Sequence, residues 1–199
     1  EISACLVGSE MCIRDRKKVG GEAVAFPDTD ITLIKDKKSA YKVVIGKKAT
    51  RTEKYAAEEL VYFLNESTGC KLSIITDENL DEGGKYLSVG DTELLTAANL
   101  QPSYAELGDN GVSVYTRNGN VYMAGAAEYG TLFSVYRFLY YQINYKAYAY
   151  DEVDFDYFNE LRLKNFDYKY RPALGTVTAE DGEMSGRDKT KEAWRMYIY

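Results

Sequence analysis

Carboxylates, lysine, tyrosine and cysteine carry whatever chemistry this sequence can perform, because its 199 residues include no histidine. That removes the commonest general base, the serine and cysteine triads that depend on it, and most zinc sites. Glu180, Asp181 and Glu183 invite a glycosidase reading, in which two carboxyls flank a scissile bond at about 5 to 9 Å. Their neighbours Gly182, Ser185 and Gly186 describe a loop, which is a poor holder for such a pair. Asp151, Glu152, Asp154 and Asp156 gather oxygens as a calcium loop does, but no glycine bend or closing bidentate Glu accompanies them, so they read as a solvated acidic link. The run Gly125-Ala126-Ala127-Glu128-Tyr129-Gly130-Thr131 bridges a strand and a helix, where phosphate loops occur. It lacks the lysine and glycine spacing of a P-loop and the glycine triplet of a dinucleotide fingerprint. Neither a cofactor nor a metal is expected, and no catalytic residue is assigned. Asn65-Glu66-Ser67 is a formal glycosylation sequon that closes a predicted helix, and Cys70 beside a strand start reads as a small half-buried hydrophobe.

The elements that must position these residues can be read in order. Ile31 to Ile34 and Tyr41 to Ile45 are β-branched runs on either side of a polar turn, and they predict two strands. Thr50 with Glu53 forms a capping box, and Ala56, Leu60, Phe63 and Leu64 recur at helical spacing, which predicts a helix from Arg51 to Ser67 stopped by Gly69. Leu72 to Thr76 and Tyr86 to Val89 are further strands, and Asp91 offers an N-cap for a short turn through Leu95. Val112 to Arg117 and Asn120 to Ala124 flank Asn118-Gly119, a strong hairpin signal because both turn residues tolerate positive φ. A second helix begins near Gly130, with Leu132, Val135, Tyr136, Leu139 and Ile143 forming an apolar stripe. Lys146 to Tyr150, the acidic link, and a last strand from Leu161 to Phe166 complete the order. Together they predict an α+β fold, one mixed sheet with two main helices packed on one face.

Composition agrees with a globular domain: 45% of residues are apolar and 28% charged, close to ordinary usage. The net charge of −6 leaves no basic face for phosphate backbones, so nucleic acid is not an expected partner. No window reaches the roughly 18 consecutive apolar residues of a membrane helix. The 19 tyrosines are in excess; tyrosine stacks on sugar rings, but more often it fills half-buried faces with its hydroxyl reaching water.

The two ends differ from the middle. Ser3 to Arg16 has neither helical nor strand period and resembles a translated sequencing adapter, so residues 1–19 are expected to be a non-native leader. Setting that leader aside removes Cys5 and Cys12 and leaves Cys70 without a disulfide partner. Trp194, Met196, Tyr197, Ile198 and Tyr199 make an apolar finish that requires cover, which reads as a chain cut inside a larger protein.

Several motifs in fixed order resemble the N-terminal accessory domain of alpha-glucuronidases and the related domain preceding the barrel of beta-N-acetylhexosaminidases and alpha-N-acetylglucosaminidases. They are Ala56-Ala57-Glu58-Glu59-Leu60 with Tyr62-Phe63-Leu64, Ser67-Thr68-Gly69, Leu87-Ser88-Val89-Gly90-Asp91-Thr92, Leu107-Gly108 with Asn110-Gly111, Val121-Tyr122-Met123-Ala124-Gly125, and Gly130-Thr131-Leu132-Phe133-Ser134-Val135-Tyr136. The resemblance spans about Ile31 to Pro172. It implies a leader over 1–19, an accessory domain over 20–171, and the first residues of a missing catalytic barrel over 172–199. It further implies a non-catalytic part of a bacterial, extracellular or cell-envelope glycoside hydrolase, with the barrel as its partner and an oligosaccharide as its associated ligand. Family members commonly carry Arg before the helix glycine and a second glycine after Gly125, where this chain has Tyr129 and Ala126. Gly125, Glu128, Tyr129 and Gly130 are therefore the candidates for a ligand or barrel contact. The alternatives are a stand-alone carbohydrate-binding module built on surface tyrosines, which would expose several of them on one face, and an interaction domain with no ligand; an accessory domain would instead expose a mixed apolar patch.

Overall fold

A computed structural model describes residues 25–127, 129–149 and 152–172. The expectations placed on the leader, on Glu128 and Asp151, on the cluster Glu180, Asp181 and Glu183 and on the Trp194 to Tyr199 finish lie outside those residues.

The fold is α+β. A six-stranded mixed sheet runs in the order β10 (Asp167–Tyr170), β5 (Val112–Arg117), β6 (Asn120–Ala124), β4 (Lys85–Val89), β2 (Tyr41–Ile45) and β3 (Ile74–Thr76). β3, β2, β4 and β6 are parallel, whereas β5 and β10 are antiparallel additions at one side. Two antiparallel ribbons accompany the sheet: β1 (Asp28–Lys35) with β9 (Glu160–Lys164), and β7 (Lys146–Ala149) with β8 (Glu152–Asp154). The long helices α1 (Arg51–Thr68) and α4 (Gly130–Ile143) lie side by side on one face. Two short helices, α2 (Glu93–Ala97) and α3 (Tyr104–Leu107), complete the described helices.

Alternation along the strands explains this layering. Val43, Ile45, Leu87, Val89, Val121, Met123 and Val114 point to the helical side and are buried there with Leu60, Phe63, Leu64, Leu132, Val135 and Leu139. The opposite face places Tyr122 and Ala124 beneath Leu95 of α2. α1 starts at the expected capping box, with the Glu53 amide donating to Thr50 Oγ1 at 3.2 Å and the Thr50 amide to Glu53 Oε2 at 2.8 Å. It ends at Gly69 in the left-handed region, φ 69°. The Asn118-Gly119 turn joins β5 to β6 with φ of 53° and 77°, as a primed hairpin turn requires.

Three local expectations need correction. Asp91 does not cap α2; Thr92 does, its Oγ1 accepting the Leu95 amide at 3.1 Å, while the Asp91 amide donates to Glu53. The acidic link is not uniformly irregular, because Glu152–Asp154 pairs with β7 as a strand. The last strand is two strands. At Phe166, which is fully buried, the chain leaves the β1 ribbon and joins β5; the Thr116 hydroxyl accepts the Phe166 amide at 3.1 Å and donates to Lys164 O at 2.9 Å.

Candidate functional site

The turn from β6 to α4 is a packing joint made of three converging backbones. A Cβ on Gly125 would sit 2.2 Å from the Gly130 carbonyl carbon, and one on Gly130 would sit 2.6 Å from Gly111 O. Only glycine permits that approach. Hydroxyls then tie the joint: Ser113 Oγ donates to Ala124 O at 2.7 Å, and Ser134 Oγ accepts the Ser113 amide at 3.2 Å. The same Ser134 hydroxyl lies 2.8 Å from Ala124 O and 2.7 Å from Gly130 O, and Thr131 Oγ1 accepts the Gly125 amide at 3.3 Å. The amides of Gly125 and Gly130 are thus engaged within the turn, Gly130 donating to Ala127 O at 3.0 Å. Gly130 is buried and Gly125 half-buried, whereas Tyr129 is 39% exposed at the head of α4.

In open α/β sheets, ligands settle outside the carboxyl ends of the parallel strands. Here the chain itself occupies that position. Asp77, buried after β3, accepts the Lys47 amide at 2.9 Å through Oδ1 and the Glu93 amide at 3.0 Å through Oδ2. Glu53 Oε1 accepts the Asp91 amide at 2.8 Å, and a Cβ on Gly46 would meet Asp91 O at 2.2 Å. Asp77 was invisible to sequence reasoning because both of its partners are distant in the chain.

The outer side of α4 is the unusual surface. No residue of α4 is fully exposed, and its outward positions Phe133, Arg137 and Tyr140, half-buried, continue the line begun by Tyr129 at spacings of four, four and three. Arg137 is the one charged residue in the helix and lies over the Tyr140 ring at 5.8 Å. From Tyr140 the aromatic contacts run on to Tyr141 at 4.9 Å, from Tyr141 to Tyr168 of β10 at 5.6 Å, and from Tyr168 to Tyr170 at 6.5 Å. Burial pushes the Tyr168 hydroxyl up to about 12. The neighbouring α1 presents Arg51, Lys54, Glu58, Tyr62 and Glu66 outward, an ordinary solvated face with one tyrosine. Among the described residues, the most exposed tyrosines, Tyr62, Tyr104, Tyr129, Tyr148, Tyr157 and Tyr170, belong to six different segments.

A cleft of about 400 Å³ opens at the C-terminal end of α4, between that helix and β9. Gln142 spans it: its Nε2 donates to Arg162 O at 2.7 Å and its Oε1 accepts the Lys164 amide at 3.1 Å, so the side chain replaces a neighbouring strand along β9. The charges on the β-ribbon side are paired, Lys164 with Asp28 at 3.0 Å and Glu160 with Lys35 at 2.7 Å and Arg162 at 3.8 Å. Tyr141, Asn144, Asp156 and Phe158 complete the wall.

The other sequence candidates do not converge. Among the described residues no three of His, Cys, Asp and Glu form a group suited to a metal ion. Asp156 is held by its backbone, its amide donating to Ile143 O at 2.9 Å and its carbonyl accepting Ser67 Oγ at 2.6 Å. That bond also buries the serine of the sequon. Cys70 is buried and free, and burial pushes its thiol pKa up. No described helix is long and apolar enough to cross a membrane.

No family model and no curated protein matches the chain. Among solved structures it is similar to a family GH115 4-O-methyl-alpha-glucuronidase with specificity for decorated arabinogalactans, at 16% identity and a TM-score of 0.40. The match covers 54% of this chain and 14% of that enzyme.

Proposed function

We propose that this chain is a non-catalytic accessory domain of a carbohydrate-degrading glycoside hydrolase, seating a catalytic barrel against the outer face of α4. The observation that carries this reading is the line Tyr129, Phe133, Arg137 and Tyr140. A helix whose outward side carries aromatic residues and Arg137 as its one charge is suited to a protein contact, where aromatic residues and arginine are enriched. Tyr129 and the glycine joint then have distinct roles: the glycines lock the start of α4 onto the sheet, and Tyr129 extends the contact surface. Carbohydrate processing enters through the ordered sequence motifs.

The test uses this chain and the same reading frame extended through its native continuation. With uronic-acid and N-acetylhexosamine aryl glycosides, the chain alone is expected to stay at background and the extended protein to hydrolyse at least one of them. Phe133→Glu combined with Tyr140→Glu should loosen the extended protein, seen as separate unfolding of its two parts by calorimetry. Turnover by the chain alone, or an unchanged single transition in the double variant, would overturn the proposal.

A further inference from the structure

We infer that the cleft between the C-terminal end of α4 and β9 binds an uncharged sugar ring, a property separate from the docking face. The cleft has the size of a small-ligand site, and its chemistry selects the ligand. Its cations are already matched: Lys164 is paired with Asp28, and Arg162 shares Glu160 with Lys35. An anionic ligand would therefore displace a carboxylate to gain a cation, at no net advantage. Asn144 and Asp156 line the cleft with side chains that have no hydrogen-bond partner among the described residues. One amide and one carboxyl are thus free to take neighbouring hydroxyls, while Tyr141 and Phe158 supply aromatic surface for the C–H side of a ring. A polyhydroxylated, neutral, one-sidedly apolar molecule satisfies all of these demands. Gln142 keeps the wall rigid, since both ends of its amide are fixed to β9.

The experiment is an amide-resolved NMR titration of the chain with the methyl glycosides of glucose, galactose, mannose, xylose and N-acetylglucosamine, and with glucuronate as the charged comparator. At least one neutral glycoside is expected to shift the amides of Asn144, Asp156, Phe158 and Arg162 saturably, and more strongly than glucuronate. Asp156→Ala preserves both backbone bonds of that residue, and Asn144→Gly preserves the left-handed cap at φ 57°. Each is expected to weaken binding about three- to tenfold, the worth of one net hydrogen bond. Phe133→Glu alone, two turns of α4 away from Tyr141, should leave the titration unchanged, so failure of the docking proposal and failure of this one are separable. A hexasaccharide of the best sugar distinguishes a polysaccharide from a free sugar by binding more tightly than the monomer. The inference is overturned if no neutral glycoside shifts the cleft amides up to about 50 mM, if glucuronate binds better than all of them, or if neither variant alters the affinity.

Discussion

The Tyr136 hydroxyl donates to Glu59 Oε2 at 2.8 Å across the seam between α1 and α4, and both residues are buried. This bond joins the two helices that cover the sheet, and the Tyr136 ring stacks at 5.7 Å on Tyr145, just past the end of α4. Tyr136→Phe keeps the ring and deletes the donor. It should destabilise the chain by about 1.5 to 3 kcal/mol, the range for a hydrogen bond to an ionisable partner, measured by urea denaturation at neutral pH.

Burial, reinforced by the neighbouring Glu59, pushes the Tyr136 hydroxyl far above the ordinary phenol value of 10.0. The folded state therefore holds that proton more tightly than the unfolded chain does. Its contribution is fully present below pH 10 and is lost as pH rises from there toward the folded value. Stability should fall above that point with a slope of about 1.4 kcal/mol per pH unit from this tyrosine. Denaturation curves at a series of alkaline pH values check this, and Tyr136→Phe should flatten the slope.

Gly130→Ala tests the joint at the head of α4. The added methyl would meet Gly111 O and the Gly125 backbone, neither of which can rotate away. A loss of about 2 to 4 kcal/mol is expected, at the upper end of overpacking effects. Gly83→Ala meets no atom within 4 Å and should cost only about 1 kcal/mol, from its positive φ. Thermal unfolding of the pair separates a steric joint from a merely flexible turn.

Leu139→Ala removes a fully buried side chain that packs under α4 and should cost about 2 to 5 kcal/mol. Phe133→Glu, half-buried on the opposite side of the same helix, should cost the isolated chain only about 1 kcal/mol. Equal costs at the two positions, read from calorimetry, would mean that the outer face is packed within this chain and is not a docking surface.

The elements with local signals were legible in the sequence. The capping box at Thr50 and Glu53, the Asn118-Gly119 turn, and the apolar spacing of Leu132, Val135 and Leu139 each act within a few residues, so one-dimensional order suffices to reveal them. The outward line Tyr129, Phe133, Arg137 and Tyr140 was present in the same letters, but its meaning depended on knowing which side of α4 the sheet covers. Tertiary structure alone decided the rest. The Asp77 carboxylate, the break at Phe166 and the cleft across Gln142 all depend on partners far away in the chain, and the cost of burying a polar group chooses those partners only once the layers have packed. Gly125 and Gly130 show the division most clearly: their type announced a special backbone position, and only the tertiary approach of Gly111 shows how closely three backbones meet there.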